Sequence, residues 1–319
     1  MLTATLLTVL AQAPDAGALD AGAVPYLVLP EYRRLEKKLE PSLKVPWIKK
    51  WAQQITKLQS VKTTTWWCTR DRQQCLSEKP APDAGVYDER KADDEYVWGR
   101  IADPLGYVRA FEVLNEHKFD PTGKKILDFG YGNVSQLYML ANTGVEVHGV
   151  EVDSLIPLTT KPFVGKLGAK GSLTLHHGYF PSNADLVKEI GGGYALWMSK
   201  NTMKRGYVHP AEPPGAKAQI DLGDDAKLLE LIKSELAPGG FFFIYNISAA
   251  QTVPYKPMAD PLCPFTKEQL VAAGFEVIAH DVDDSAKMLT YAKTLEWNAD
   301  WPDVDTTLNA RYTLVRKPK

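Results

Sequence analysis

Asp128, Gly130 and Gly132 stand together in the segment "ILDFGYG", and Glu151 follows about 20 residues later at the end of "VEVHGVEV". Two glycines after an apolar run let the backbone turn tightly and approach a ligand with no Cβ in the way. A carboxylate at the end of the next strand can accept from both hydroxyls of an adenosine ribose. The residue types therefore suit a nucleoside cofactor.

Charge narrows the choice. A pyrophosphate needs bare amides at a helix N-terminus, and Asp128 beside the turn would repel it. Ser135 also stands where the dinucleotide fingerprint has its third glycine. A nucleoside with a cationic centre and an amine would be attracted instead, which favours S-adenosyl-L-methionine over NAD. The other cluster of reactive side chains is "WMSKNTMKRGYVHP", Trp197 to Pro210. His209 is the candidate general base, since an unperturbed imidazole titrates near neutrality. Lys200, Lys204 and Arg205 could hold a carboxylate or phosphate. Asn201 and Asn246 could orient an acceptor through paired donor and acceptor groups. His209, Asn201 and Lys200 form the catalytic candidate set. The alternative is a solvated face for Lys204 and Arg205, with His209 capping a turn before Pro210.

The elements that must position these residues alternate regularly from Lys124 onward. Strands are expected at "KKILDFG", "VEVHGVEV", "SLTLHHG", "YALWMSK", "FFFIYNIS", "FEVIAHDVD" and "ARYTLVRKP", with helices such as "SQLYMLANTG" and "DDAKLLELIKSELAPGG" between them. Apolar strands alternating with helices imply an α/β fold with a doubly wound, mostly parallel sheet covered on both faces. The last strand follows a helix and carries an alternating pattern, so it is expected at an edge. In such sheets ligands lie beyond the carboxyl ends of the strands, near the switch point.

From about Asp94 to the C-terminus the chain resembles the class I S-adenosylmethionine-dependent methyltransferases. "ILDFGYG" is similar to their first motif, with Asp128 at the acidic position, and Glu151 matches their ribose-binding acid. "SELAPGGFFFIYN" resembles their approach to the fifth strand, and "ARYTLVRKP" their reversed last strand. The resemblance implies a seven-stranded Rossmann-like methyltransferase fold, S-adenosyl-L-methionine as cofactor, and a cofactor set of Asp128, Gly130, Tyr131, Gly132, Glu151, Tyr179 and Ser199. Departures are the absent third glycine, around Val134, and "HHGYFP" where an acidic residue commonly meets the adenine; Tyr179 or Phe180 could stack there. The loop from Trp197 lacks the Asn/Asp-Pro-Pro-aromatic signature of amide- and adenine-directed members and the acidic pair of aminopropyltransferases. The expected activity is methyl transfer to a small-molecule or peptide acceptor. The alternative is an exported binding protein that keeps the fold without the chemistry.

The formal net charge of −2 gives no field to attract nucleic acid. No apolar run approaches the roughly 18–20 residues of a membrane span. "MLTATLLTVLAQAPDAGALDAGAVP" opens like a signal peptide, so residues 1–25 are expected to be a leader and the protein exported, to the periplasm or outside the cell; a cytoplasmic tail is the alternative. Residues 26–93 are expected to form a helical extension, with helices broken at Pro41 and Pro46 and a linker at "EKPAPDAGVYDERKADDE"; residues 94–319 form the main domain. Cys68 and Cys75 lack nearby partners for zinc, so no metal is expected; a local disulfide, which an oxidising compartment would favour, stands against two reduced thiols.

Overall fold

The computed structural model describes residues 28–69, 74–81, 85–99, 103–164, 171–211 and 220–319. The expected leader lies outside the described residues. Strands β1 (Thr64–Thr69), β2 (Cys75–Leu76) and β3 (Tyr87–Ala92) form a small antiparallel sheet in the order β2-β1-β3. The second sheet holds β4 (Lys125–Phe129), β5 (Glu146–Glu151), β6 (Ser172–His177), β7 (Tyr194–Lys200), β8 (Leu236–Ala249), β9 (Glu276–Asp283) and β10 (Leu308–Arg316). Its seven strands run in the order β6-β5-β4-β7-β8-β10-β9. β4 to β8 are mutually parallel, and β10 is antiparallel to both neighbours. The doubly wound sheet with a reversed last strand is therefore present.

Successive strand residues point to opposite faces, and both faces are buried. Ile126, Leu196, Met198, Phe243 and Tyr245 enter one core. Leu127, Trp197, Phe242 and Ile244 enter the other. The continuous apolar runs of these strands follow from that double burial.

Three expectations need correction: the extension of residues 26–93 is not all helical, because the sheet of β1, β2 and β3 lies within it. β10 is not an edge strand: it lies between β8 and β9, with Thr313, Leu314 and Val315 buried. β9 takes the edge, and its His280, Asp281 and Asp283 suit a strand whose outer side meets water. The stretch read as a linker contains β3, which pairs along β1 from Ala92 to Tyr87, and a helix, Asp94–Trp98, capped by the Asp93 carboxylate. Charged residues hid a strand that is only half covered.

The helices Val28–Leu39 and Pro46–Gln53 start and stop around Pro41 and Pro46 as expected. Their Leu35, Leu39, Ile48 and Trp51 join the same core as Phe111 and Leu137 of the sheet's own helices. The Trp51 indole also donates to the Gln136 carbonyl at 3.3 Å. Packing is thus continuous across residues 93 and 94. The Cys68 and Cys75 sulfurs form a disulfide between directly opposed positions of β1 and β2.

A buried ion pair ties the helix Val108–Glu116 to the reversed end of the sheet. The Arg109 guanidinium meets Asp284 through two bonds, of 2.8 and 2.9 Å, and Tyr245 of β8 donates to the same carboxylate at 2.9 Å. Removing one partner strands the other in a low-dielectric interior. Arg109→Met should therefore lower the unfolding free energy by about 3–5 kcal/mol in urea denaturation. A loss below about 1 kcal/mol, the range of exposed pairs, would contradict this role.

Candidate functional site

A cavity of about 670 Å³ opens beyond the carboxyl ends of β4, β5 and β7, where the chain order reverses. That size suits a nucleoside-sized ligand, since such pockets span about 300–1,000 Å³. Gly130 and Gly132 line it, both at φ +67°, in the left-handed region that favours glycine. A Cβ on Gly130 would meet the Thr202 side chain at 2.2 Å, so the turn and the loop after β7 touch closely.

Glu151 lines the cavity at the tip of β5. Its Oε2 accepts from the Gly132 amide at 3.0 Å, and its Oε1 from the amides of Val152 at 2.9 Å and Asp153 at 3.4 Å. Burial pushes its carboxyl up, the neighbouring Asp153 adds to this, and the three amides work against it. A carboxylate oxygen accepts about two hydrogen bonds, so Oε2 keeps capacity for a ligand hydroxyl. Asn133, in the turn, accepts at Oδ1 from the Ser135 amide at 3.2 Å and from the Ser135 hydroxyl. The helix Ser135–Ala141 thereby starts with an amide already occupied.

Asp128 behaves differently from expectation. It is 0% exposed, is absent from the cavity wall, and pairs through Oδ2 with the Lys200 ammonium, while Oδ1 has no partner among the described residues. Burial raises its carboxyl and Lys200 opposes that rise. Lys200 lines the cavity with its side chain 3% exposed, and its Nζ lies 5.7 Å from the centre of the Tyr107 ring. The charge argument against a pyrophosphate cannot rest on Asp128; it rests on the turn amides occupied by Glu151 and Asn133.

The remaining predicted residues divide. Asn201 lines the cavity at φ +62°, accepting from the Ile247 amide at 2.6 Å and donating to the Tyr107 hydroxyl. Tyr131 lines it with its hydroxyl buried and without a partner among the described residues. Tyr179, 41% exposed, and the buried Phe180 form part of the wall after β6. Ser199 is not on the wall: its hydroxyl accepts from the Met203 amide at 3.1 Å and shapes the loop. His209 is also outside, 44% exposed, with Nε2 2.8 Å from Asp225. Arg205 pairs with Asp260 at 2.8 Å, and Asn246 donates to the carbonyls of Met203 and Pro261 at 2.9 Å. These polar groups are spent on neighbouring protein groups: Ser199 on a backbone amide, His209 and Arg205 on carboxylates, and Asn246 on two backbone carbonyls.

Sequence reasoning missed Tyr107, Gln136 and the segment Ile220–Asp224, all of which line the cavity. Gln136 Oε1 is buried without a partner among the described residues. A glutamine in the first turn of an otherwise apolar helix was the signal available for it. Leu222 and Leu228 supply an apolar wall facing Phe129 and Phe180 in the same core. The described residues contain no group of three or more potential metal ligands, and no helix among them is long and apolar enough to cross a membrane.

No protein-family model and no curated protein matches the chain. Among solved structures it is similar to the (4+2)-cyclase SpnF, at 15% identity over 70% of this chain and 84% of that one, with a TM-score of 0.44. It is similar to phosphoethanolamine N-methyltransferase 2 of Haemonchus contortus in complex with S-adenosyl-L-methionine, at 14% identity over 66% of this chain and 52% of that one, with a TM-score of 0.41. It is also similar to geranyl diphosphate methyltransferase in complex with GPP and sinefungin, at 14% identity over 68% of this chain and 81% of that one, with a TM-score of 0.44. The chemistry of the present site rests on its own geometry.

Lys204 gives the loop a pH signature. Its buried Nζ donates to the carbonyls of Ile247 at 2.7 Å and Met258 at 3.3 Å, which uses both N–H bonds of a neutral amine. Burial depresses its pKa from 10.5 to about 7, with Asp260 opposing. Between those values the unfolded chain holds more protons than the folded one, so stability rises with pH across that window. The slope attributable to this group is at most about 1.4 kcal/mol per pH unit. Urea denaturation from pH 7 to 10 should show the rise in the wild type and a flatter profile in Lys204→Met; equal slopes would contradict the assignment.

Proposed function

We propose that the protein is an S-adenosyl-L-methionine-dependent methyltransferase with a small-molecule acceptor. The observation that carries this reading is the Glu151 carboxylate at the tip of β5, bonded to the Gly132 amide and bordering the cavity. Unpaired buried oxygens on Tyr131 and Gln136 line the same cavity and suit a polar nucleoside. The occupied amides of Gly132 and Ser135 leave a poor cradle for a pyrophosphate. When bound, the cofactor supplies an electrophilic methyl group on a cationic sulfur. Glu151 would hold ribose hydroxyls, and Phe180, Leu222 and Leu228 would exclude water from the base. Tyr107, held by the Asn201 amide, would orient the acceptor; alignment and water exclusion carry most of the acceleration in such a displacement.

None of the described cavity residues is a histidine. With His209 outside, this reading favours an acceptor that needs no imidazole to remove its proton, such as a neutral amine or a thiolate. A peptide side chain is the narrower acceptor class within the same proposal. A second reading, an exported binding protein with the same nucleoside site, is favoured by the Cys68–Cys75 disulfide, a bond that persists in oxidising compartments.

Calorimetric titration of S-adenosyl-L-methionine, and separately NADH, into residues 24–319 with the disulfide intact tests the cofactor. Micromolar binding of the first alone is expected; binding of NADH alone, or of neither, removes the proposal. Glu151→Gln should weaken S-adenosyl-L-methionine by roughly 1.5–3 kcal/mol for each charge-assisted hydrogen bond lost. Unchanged affinity would remove the ribose assignment. For export, material from the native host should begin beyond Ala13; an N-terminus at Met1 or Leu2 would remove the cleaved-leader reading.

A further inference from the structure

We infer that His148 and His176, between the large sheet and the helix Ala184–Ile190, share one proton at neutral pH and form a pH-sensitive latch behind the cavity wall. The two rings project from one face of the neighbouring strands β5 and β6, since His148 lies opposite Thr174 and His176 opposite Val150. Their planes are nearly parallel, 13° apart, with ring centres separated by 5.2 Å. His148 Nδ1 lies 2.9 Å from His176 Nε2. Each outer nitrogen meets a carboxylate: His148 Nε2 is 3.2 Å from Glu146, and His176 Nδ1 is 2.8 Å from Glu189. The series Glu146, His148, His176, Glu189 thus joins β5, β6 and the helix.

Counting hydrogens fixes the charge. An ionised carboxylate only accepts, so both outer nitrogens carry a hydrogen. With no further proton, two lone pairs would face each other across 2.9 Å; with two further protons, two N–H groups would collide there. One hydrogen between the inner nitrogens satisfies every group. Three hydrogens on two rings amount to one imidazolium charge that belongs to the pair. The side chains are 12% and 2% exposed, which leaves water little room to replace either inner partner.

The surroundings suit one charge and oppose two. Glu146 and Glu189 are the anions at the two ends. Lys125 of β4 lies 3.9 Å from Glu146 and 4.5 Å from the centre of the Tyr194 ring. Tyr194, at the start of β7, sets that ring edge-on to His148 at 5.4 Å and donates its hydroxyl to the Ile190 carbonyl at 2.7 Å. Asp185 and Lys188, both exposed, are the other charged residues of the helix. Burial holds the His148 imidazole below its ordinary value; the bond to Glu146 opposes this, while Lys125 and His176 add to it. A second proton on the pair is therefore resisted.

The shared proton acts on the cavity through what it fastens. Gly178 to Ser182 line the cavity between the end of β6 and the start of the helix that carries Glu189. His177, next to His176, places Nε2 2.7 Å from the Val152 carbonyl, one residue beyond Glu151. Losing the proton sets two lone pairs against each other and removes the charge that strengthens the bond to Glu189. The wall segment is then released from the sheet as pH rises.

Nitrogen-15 NMR of the wild-type protein with labelled histidine at pH 7.5 counts the hydrogens directly. Three protonated nitrogens among the four are expected, with a scalar coupling between the inner two identifying the pair. Independent imidazoles would be about 90% neutral at that pH. Two protonated nitrogens, or four, overturn the inference. Thermal melts give a second readout. On these two residues the unfolded chain holds two protons well below pH 6.5, one on average at about 6.5, and none well above it. The folded pair holds one across that window, so its contribution to stability rises with pH below about 6.5 and falls above it. The melting temperature of the wild type minus that of His148→Gln/His176→Gln should peak there; a flat difference overturns the shared proton. Where the double variant does not fold, the NMR count decides alone. At a pH where that count has fallen to two, hydrogen-exchange protection of residues 178–190, corrected for intrinsic rates, should be roughly tenfold lower than at pH 7.5. Unchanged protection overturns the latch. None of these readouts involves a nucleoside, so they stand or fall apart from the proposed function.

Discussion

The ion pair between Asp128 and Lys200 is the constraint on which the site depends. It bridges β4 and β7, the neighbouring strands at which the sheet reverses its order of assembly. At such a switch point the following loops diverge to opposite faces and leave a crevice. Burying two charges there costs several kcal/mol per ion, which their attraction offsets only in good geometry. The pair is therefore better understood as a positioning device than as a source of stability. It commits the end of β7 to one path, and Asn201, left-handed at φ +62°, continues that path toward β8 by bonding the Ile247 amide.

The glycine turn is organised by the opposite strategy, in which backbone donors are consumed by side chains. Glu151 takes the amide of Gly132 and two amides of its own strand end, while Asn133 takes that of Ser135. A site built to bind a phosphate leaves such donors free, because they are the ligand's partners. Here the donors are silent and the free capacity lies in acceptors: the second site on Glu151 Oε2 and the unpaired oxygen of Gln136. Ligand hydroxyls and amines match that polarity.

The architecture was largely legible in the sequence because strands buried on both faces must be apolar throughout and helices must not. The five inner strands of the large sheet follow that rule, and the edge strands β6 and β9, only partly covered, keep enough apolar residues to be found. The small sheet escaped whole: β1 and β2 are only partly covered, and β3, "YDERKA", is half exposed and carries the charges expected of a loop. The place of β10 was misjudged from its alternation alone, when the polar residues of β9 were the better edge signal. At the site, residues defined by backbone geometry, Gly130, Gly132 and Glu151, were recoverable because turn and strand end are local features. Residue type was a poor guide in the loop after β7. Ser199, His209, Arg205 and Asn246 have reactive side chains, yet each is spent on a neighbour that only the three-dimensional path of the chain brings near.

The N-terminal elements bear on the site through the walls they hold. Tyr107, which meets Asn201 and faces Lys200, enters the cavity just before the helix Val108–Glu116, and that helix is held by Trp47 and Trp51 against Phe111. Trp51 also bonds the carbonyl of Gln136, whose side chain lines the cavity. Beyond the tip of β5, Tyr96 donates to Asp153 at 3.1 Å, and Ser154 donates to the Cys75 sulfur at 3.4 Å. Asp153 and Ser154 lie two and three residues after Glu151, so the disulfide-bonded sheet and the helix Asp94–Trp98 brace the strand end that presents the Glu151 carboxylate to the cavity. A sheet domain cut at residue 94 would keep the glycine turn and Glu151 in sequence but would lose the aromatic buttress behind Tyr107 and Gln136. Since both of those side chains line the cavity, displacements of the N-terminal helices would shift the positions of their polar atoms there. The extension is part of the site's geometry, although it contributes few of the residues that line it.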